Sequence, residues 1–519
     1  MADISDKANM AGSDNGSGSV PPEYTARPGG LRGIYSHPRT QVALLGLVCF
    51  MCPGLFNALS GIGGGGQLDQ TTAANANVAL YSAFAVIAFF SGSINNLIGP
   101  RLTLQIGSLG YGLYIGGFLA INIHPGTKGA KDFAIAAGAI LGVCAGLLWT
   151  AQGSIMLAYP TEADKAHYIA VFWAIFNLGA VVGAAVAFGQ NFHTTAGSVS
   201  NSTYIAFIVL TVLGAIIPLF MKDPRKMIRT DGTPVVLSRN PSWKTEIFSL
   251  YVALKTDPMI ILLFPMFFAS NWFYAWQFND FNGSLFNIRT RSLNSMLYWT
   301  AQIVGSLIMA FILDRPNVRR RTRAFLGWGL VFVMVFIVHG WGYHYQKQYT
   351  RASVKAIDDI DPNLRMDLSD KEYVGRVCVI PYLLHLHLIV HFSWLYIFCG
   401  LLDSMWQTSV YWMMGAMSND PAKLAYLTGF YKSIQSAGAV GSWRADAVLL
   451  PFMNIFASTW ALCVAGLLFA LPMLYLRVKE HTDLQDEALA RMDDHGHVVP
   501  VDAIHQPHVT EKEKEAEEA

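Results

Sequence analysis

The sequence predicts an all-α, polytopic membrane protein with twelve transmembrane helices in two six-helix bundles. Three observations carry that prediction. Of 519 residues, 53% are hydrophobic and only 14% are charged, whereas soluble domains carry about 25% charged residues. Twelve apolar segments reach the ~20 helical residues that a bilayer core requires. A polar, basic stretch at 222–257 divides those segments six and six. The 46 glycines and 13% aromatic residues suit close helix packing and interfacial anchoring. A net charge of +1 gives no reason to expect nucleic acid; the partner that composition implies is the lipid bilayer.

The chain opens with a polar tail, 1–38, that lacks the apolar core of a signal peptide and reads as disordered. The N-terminal bundle, 39–221, holds apolar segments at 40–62, 78–98, 102–122, 133–158, 167–189 and 203–221. The first contains Pro53 and Asn57 and ends in the run Gly63–Gly66, read as a flexible loop. The linker 222–257 carries Lys222, Arg225, Lys226, Arg229, Arg239, Lys244 and Lys255. The C-terminal bundle, 258–477, holds segments at 258–280, 293–313, 324–345, a long run ending near 415, 424–443 and 451–476. A polar tail, 478–519, ends in EKEKEAEEA and reads as disordered or weakly helical. The six cysteines lie in or beside apolar segments, so they read as packing residues, including the pair Cys49 and Cys52.

Lysine and arginine placement sets the orientation. With the N-terminus cytosolic, Arg32, Arg39, Arg101, Lys165, the linker bases and the run Arg319-Arg320-Arg321 with Arg323 all fall inside, and both termini are cytosolic. The outer loops at 63–77 and 190–202 hold no lysine or arginine. Two glycosylation sequons, at Asn201 and Asn282, fall on the non-cytosolic side. One outer loop, 345–376, is long and mixed in charge. The stretch after it extends the tenth segment past one span; its His385, His387 and His391 have no carboxylate or cysteine ligand nearby, so no metal is expected.

Between segments two and three the chain reads Gly92-Ser93-Ile94-Asn95-Asn96-Leu97-Ile98-Gly99-Pro100-Arg101. This resembles the major facilitator superfamily signature G-x-L-x-D-R-x-G-R-R, with Asn96 in the aspartate position, which keeps hydrogen bonding and loses the charge. A degenerate second copy lies at Gly305 with Asp314 and Arg315. More specific stretches are 99–104, 148–153, 176–179, 403–407, 415–420 and 429–438. Together they resemble the fungal branch of the Unc-ninety-three-like family, named for an ion-channel regulatory protein, over roughly 39–476. The resemblance implies twelve helices around a central cavity and no particular substrate, since the family mixes transporters, channel regulators and trafficking chaperones. The stretch 377–392 departs from the family pattern, as an insertion or as a gene-model artefact.

In folds of this class the ligand sits near mid-membrane between the bundles. Polar residues at that depth are Asn57, Gln152 and Asn177 in the first half. In the second they are Asn271, Gln277, Gln302, Asp403, Gln407, Lys432 and Gln435; Asn279 and Asp280 lie nearer a helix end and read as interfacial. A charge at bilayer depth costs at least about 2.5–3.5 kcal/mol, so Asp403 and Lys432 are expected to face protein. Asp403 and Gln407 share one helix face, as do Lys432 and Gln435. Counted from the turn near Asn419, at 1.5 Å rise per residue, Asp403 and Lys432 lie about 4–5 Å apart in depth. The short Met417–Lys423 connection makes their helices antiparallel neighbours, so a direct ion pair is expected, serving either as a coupling site or as a register-fixing structural pair.

No Walker loop, H-E-x-x-H or G-x-S-x-G motif is present, so no enzyme activity and no cofactor are expected. The reading is a secondary transporter of a small polar solute working by alternating access, with protons as candidate co-substrate. The alternative is a non-transporting regulator, channel subunit or trafficking chaperone with a protein partner. The membrane is the plasma membrane or a vacuolar or endosomal one.

Overall fold

The computed structural model describes residues 30–160, 165–230, 232, 234–235, 244, 248, 251, 255, 258–315, 317–361, 364–370, 392–417, 421–478, 491–492 and 498–499. Among these, nine helices are long and apolar enough to cross a bilayer. The segments 258–285, Phe392–Met417 and Pro421–Ala447 complete twelve. In chain order the first half comprises α1 Pro38–Ile62, α2 Thr71–Ile98, α3 Pro100–Ile123, α4 Lys128–Ala158, α5 Lys165–Asn191 and α6 Asn201–Phe220. The second comprises α7 258–285, α8 Ile288–Leu313, α9 Arg320–Gln346, α10 Phe392–Met417, α11 Pro421–Ala447 and α12 Phe452–Arg477. Several helices outrun the apolar segments. Thus α9 starts at Arg320, because long basic side chains reach the headgroups from inside a helix end.

Each half has its own apolar core. One draws on residues from Val42 to Val235, with Ile288; the other on Ile260 to Val478, with Ala74 and Ala180. The halves pack through α2 against α11 and α5 against α8. Within the first half α1 and α5 cross at backbone contact: a Cβ on Gly54 would lie 2.9 Å from Gly179 Cα. That approach follows from Pro53, whose missing N–H and bulky ring open a π-helical turn at Phe50–Gly54.

We call the end carrying Pro38, Phe220 and Arg477 the terminal face and the opposite end the distal face. Three features differ from expectation. First, α7 is not one regular helix. A 3-10 stretch, Pro258–Leu263, leads to a short α-helix, Phe264–Ala269, then turns, then a π-helical run, Ala275–Gly283. Polar side chains at 271, 277, 279, 280 and 282 bond to other elements from here, and π-helical turns recur where side chains must be re-aimed. Second, the mixed-charge loop after α9 is ordered over its described part. A helix Arg351–Ile360 begins with a reciprocal cap between Thr350 and Ser353. Residues 364–370 then lie across the α7–α8 connection, where Met366 N donates to Leu285 O and Asn287 N to Met366 O, both at 3.0 Å. Third, the C-terminal tail contains two short antiparallel strands, Arg491–Met492 and Val498–Val499; paired β-branched valines favour that conformation. The stretch 377–391, with His385, His387 and His391, lies outside the described residues, as does most of the 1–38 tail.

Candidate functional site

The centre of the second half is a polar hub built on Asp403, midway along α10 and 1% exposed. Its Oδ2 accepts from Tyr274 Oη of α7 at 3.0 Å, Tyr298 Oη of α8 at 2.9 Å and Gln302 Nε2 of α8. Its Oδ1 accepts from Gln407 Nε2 at 3.3 Å. Tyr298 Oη also lies 2.9 Å from Gln277 Oε1, the alternative acceptor for its single proton. A carboxylate with four side-chain donors is stabilised in a setting where a bare one would be prohibitive. The break in α7 supplies an acceptor: Ser270 O, released from the helical ladder, receives Gln407 Nε2 at 2.8 Å, while Ser270 Oγ receives Trp406 Nε1 at 2.9 Å.

Gln407 extends the hub to α11. Its Oε1 accepts from Tyr431 Oη and, at 3.2 Å, from Gln435 Nε2. Gln435 Nε2 also reaches Asn271 Oδ1 at 2.9 Å, and Gln435 Oε1 accepts from Lys432 Nζ at 2.9 Å. The ammonium lies 5.1 Å from the Tyr431 ring centre and 5.6 Å from that of Tyr411, within cation–π range. The expected direct pair between Asp403 and Lys432 is therefore not formed. The charges are joined through two amides, in the order Lys432, Gln435, Gln407, Asp403. The reason lies in packing: α10 lies along α8 and α11 along α2, so the two do not form a close hairpin despite their short connection. Asp403 faces protein as expected, and all seven second-half candidates join this one network. Tyr274, Tyr298 and Tyr431 were not anticipated, because aromatic residues read as apolar and only their hydroxyls belong to the network.

In the first half Asn57, Gln152 and Asn177 are half-buried, and their side chains make no hydrogen bond among the described residues. Asn57 lies between Gly54, which touches α5, and Gly61, which touches Ser295 and Trp299 of α8. Asn177 precedes by one turn Ala180 and Val181, which pack into the second half's core. Both amides thus sit on faces directed at the other half. Gln152 follows by one turn Trp149, which meets Phe176 edge-on at 5.5 Å.

The distal face holds a second polar assembly, which joins the halves. Arg291 of α8 is fully buried and donates to first-half carbonyls: Ile62 O at 2.9 Å, Gly63 O at 2.5 Å, Gln67 O at 3.2 Å and Gly197 O at 2.8 Å. The run Gly63–Gly66 is thus a buried, ordered cage and not a flexible loop. Its four residues have φ between +58° and +83°, which costs other L-residues roughly 1–2 kcal/mol each. Gly64 N donates to Asn279 Oδ1 at 2.7 Å, and Tyr396 Oη to Gly61 O at 2.8 Å. Asn282 Nδ2 donates to Gly61 O at 2.8 Å and Arg291 O at 3.2 Å, and Asn282 Oδ1 accepts from Asn294 Nδ2. Asn282 is completely buried, so its sequon cannot carry a glycan in this structure. Asn201, at the exposed start of α6, accepts from Asn122 Nδ2 at 2.8 Å. Asn279 and Asp280, expected to be interfacial, are buried at 1% and 0% exposure.

At the terminal face the signature loop turns at Gly99 (φ +82°). Arg101 Nε donates to Pro218 O at 2.9 Å and Nη2 to Leu219 O, so its cation caps the carbonyl end of α6. Gly92 is buried, whereas Asn96 is exposed; the buried amide is its neighbour Asn95, whose Nδ2 reaches Ser154 Oγ of α4 at 3.1 Å.

Comparison with known proteins agrees with this architecture. The family described as "Ion channel regulatory protein UNC-93" matches residues 67–340. An UNC93-like protein of Schizosaccharomyces pombe is 46% identical over 454 residues, 87% of this chain and 85% of that one. UNC93-like protein 1 of Arabidopsis thaliana is 40% identical over 452 residues, 86% of this chain and 92% of that one. Among solved structures, the xylose transporter XylE from E. coli, in a partially occluded inward open conformation, aligns with TM-score 0.53 at 13% identity, over 87% of this chain and 100% of that one. The nucleoside transporter NupG aligns with TM-score 0.52 at 11% identity, over 84% and 100%. Those structures share the two-bundle major facilitator fold, and by sequence the chain belongs to the UNC-93 family.

Proposed function

We propose that the protein is a secondary transporter of a small polar solute, in which the halves 39–221 and 258–477 rock about a site between them. One observation supports this most: a buried carboxylate at mid-helix, Asp403, is held by side chains of α7, α8 and α10, while three half-buried amides of the first half have no hydrogen-bond partner among the described residues. A structural ion pair would not need the side chains of Asn57, Gln152 and Asn177 left unpaired, whereas a solute with hydroxyl or amide groups would bond them. Asp403 supplies the fixed charge for coupling, and the amides of Gln407 and Gln435 link it to Lys432. The lysine and arginine distribution supports cytosolic termini, which makes the distal face the non-cytosolic one and Asn201 a glycosylation candidate.

The test is solute uptake by the purified protein in liposomes, screened with and without an imposed proton gradient, for wild type and Asp403→Asn. Uptake above empty liposomes that is lost in the variant supports the reading. Uptake equal to empty liposomes across polar solute classes overturns it. A second reading, a channel regulator or trafficking chaperone on the same fold, draws on the family's description alone. It gains if deletion of the protein removes a partner protein from its membrane.

A further inference from the structure

Away from the Asp403 hub, two more carboxylates are buried at the distal end of the second half. Asp280, in the π-helical run of α7, is 0% exposed and Asp446, near the end of α11, is 2% exposed. One cation serves both: Arg351 Nη2 lies 2.8 Å from Asp446 Oδ1 and 3.4 Å from Asp280 Oδ1. Asp446 Oδ2 accepts from Asn279 Nδ2 at 2.7 Å. Among the described residues Asp280 Oδ2 is buried with no hydrogen-bond partner, and so is the hydroxyl of Tyr349. The titratable groups facing Asp280 are Asp446 from α11, with Arg351 and Tyr349 from the segment after α9. If both acids were ionised, two buried anions would share one guanidinium, itself only 21% exposed, and one buried carboxylate oxygen would have no donor among the described residues. An uncompensated buried charge costs about 3–5 kcal/mol. A single added proton removes the excess charge and gives the orphan oxygen a hydrogen.

We propose that Asp280 and Asp446 together bind one proton, and that its loss loosens the distal seal. The proton is written on Asp280, because Asp446 has the closer cation and the amide donor. Release leaves the Asp280 carboxylate and a proton that exits past Arg351, whose side chain is 21% exposed. Coupling to the seal runs through Asn279, whose Nδ2 holds Asp446 and whose Oδ1 holds Gly64 N of the first half. New charge on Asp280 competes for Arg351, shifts Asp446, and pulls Asn279 from the glycine cage. The site is independent of whether Asp403 binds solute.

Two measurements on the full-length protein in liposomes test it. Infrared spectra of protein carrying 13C-labelled aspartate, in the Asp403→Asn background, are expected to show a protonated carboxyl band at neutral pH that Asp280→Asn removes. Hydrogen-exchange protection at residues 63–67, corrected for the intrinsic pH dependence of exchange, is expected to fall at least about tenfold on moving from mildly acidic to alkaline pH. Asp280→Asn, which mimics the neutral acid, is expected to keep that protection level. Absence of the band in the Asp403→Asn protein overturns the proposal without needing the second variant to fold. It is also overturned by protection that is independent of pH in wild type, or by a site that sodium fills at neutral pH.

Discussion

Asp403 and Lys432 stood out in the sequence because each places a charge within an apolar run, where the cost of burial makes its presence informative. Gln407 and Gln435 followed from helical spacing. What spacing could not give was the identity of their partners. Three tyrosines supply hub contacts, and a tyrosine in an apolar run carries no mark separating an inward hydroxyl from a lipid-facing one. The direct Asp403–Lys432 pair was expected from equal depth and from a short connection read as making the two helices neighbours; the connection does not fix their lateral packing, and α11 lies along α2 instead. At this scale Asp403→Asn is expected to keep the fold, because the amide still accepts from Tyr274 and Tyr298, while uptake falls by about tenfold or more; melting and transport assays on one preparation separate the two effects. Tyr298→Phe removes a donor to a buried carboxylate, an interaction worth about 1.5–3 kcal/mol. It is expected to lower thermal stability by that order, with Tyr274→Phe similar and Tyr343→Phe, at an exposed position, without effect.

At the scale of elements, most of the spans were legible because nine of the described helices are long and apolar enough to cross a bilayer, although α2 begins seven residues before the expected segment. The exceptions have physical causes. In α7, the break at 270–273 and the π-helical run accompany polar side chains that bond to other elements, a feature that a count of apolar residues averages away. The glycine run looked like a loop because its order comes from a partner, Arg291, more than two hundred residues away in sequence. A Cβ on Gly65 would lie 2.4 Å from Phe118 Cε1, at a φ of +60°. Gly65→Ala is therefore expected to destabilise the distal seal by roughly 1–3 kcal/mol, the cost of overpacking, seen as lost exchange protection at residues 63–67. Arg291→Lys keeps the charge but replaces a planar fork with a point donor, and should have the same effect with a smaller change in melting. The strap at 364–370 carries its own pH dependence. Burial pushes the Asp367 carboxyl up, but hydrogen bonds from Arg289, Asn287 and Ser369 outweigh it and hold the acid below the usual carboxylate range. A depressed acid stabilises the fold above its unfolded value, about 3.9, and that contribution is lost as pH falls through this value toward the folded one. The strap is thus expected to stay closed at neutral pH and to release below about pH 4, with Asp367→Asn abolishing that dependence in exchange measurements on residues 364–370.

At the scale of the whole molecule, two separately cored halves meet along α2–α11 and α5–α8, with a distal seal of arginine, asparagine and glycine-loop carbonyls between them. The basic linker 222–257 is where the sequence reading divides the halves. The seal was not legible there, since it unites loops and helix ends that no local pattern connects. On the proposed transporter reading, buried backbone carbonyls around one guanidinium are a closure suited to being broken and remade, because each partner would regain water as the halves separate. Such opening is read most directly from distances between the halves. Spin labels at Lys128 and Lys347, exposed on the distal face of each half, would be measured by double electron–electron resonance in liposomes, in wild type and Arg291→Ala. The account predicts two distance populations in wild type, a shorter sealed one and a longer open one, with Arg291→Ala shifting weight to the longer. A single short distance in both proteins would contradict it and leave a fixed scaffold in place of a moving one.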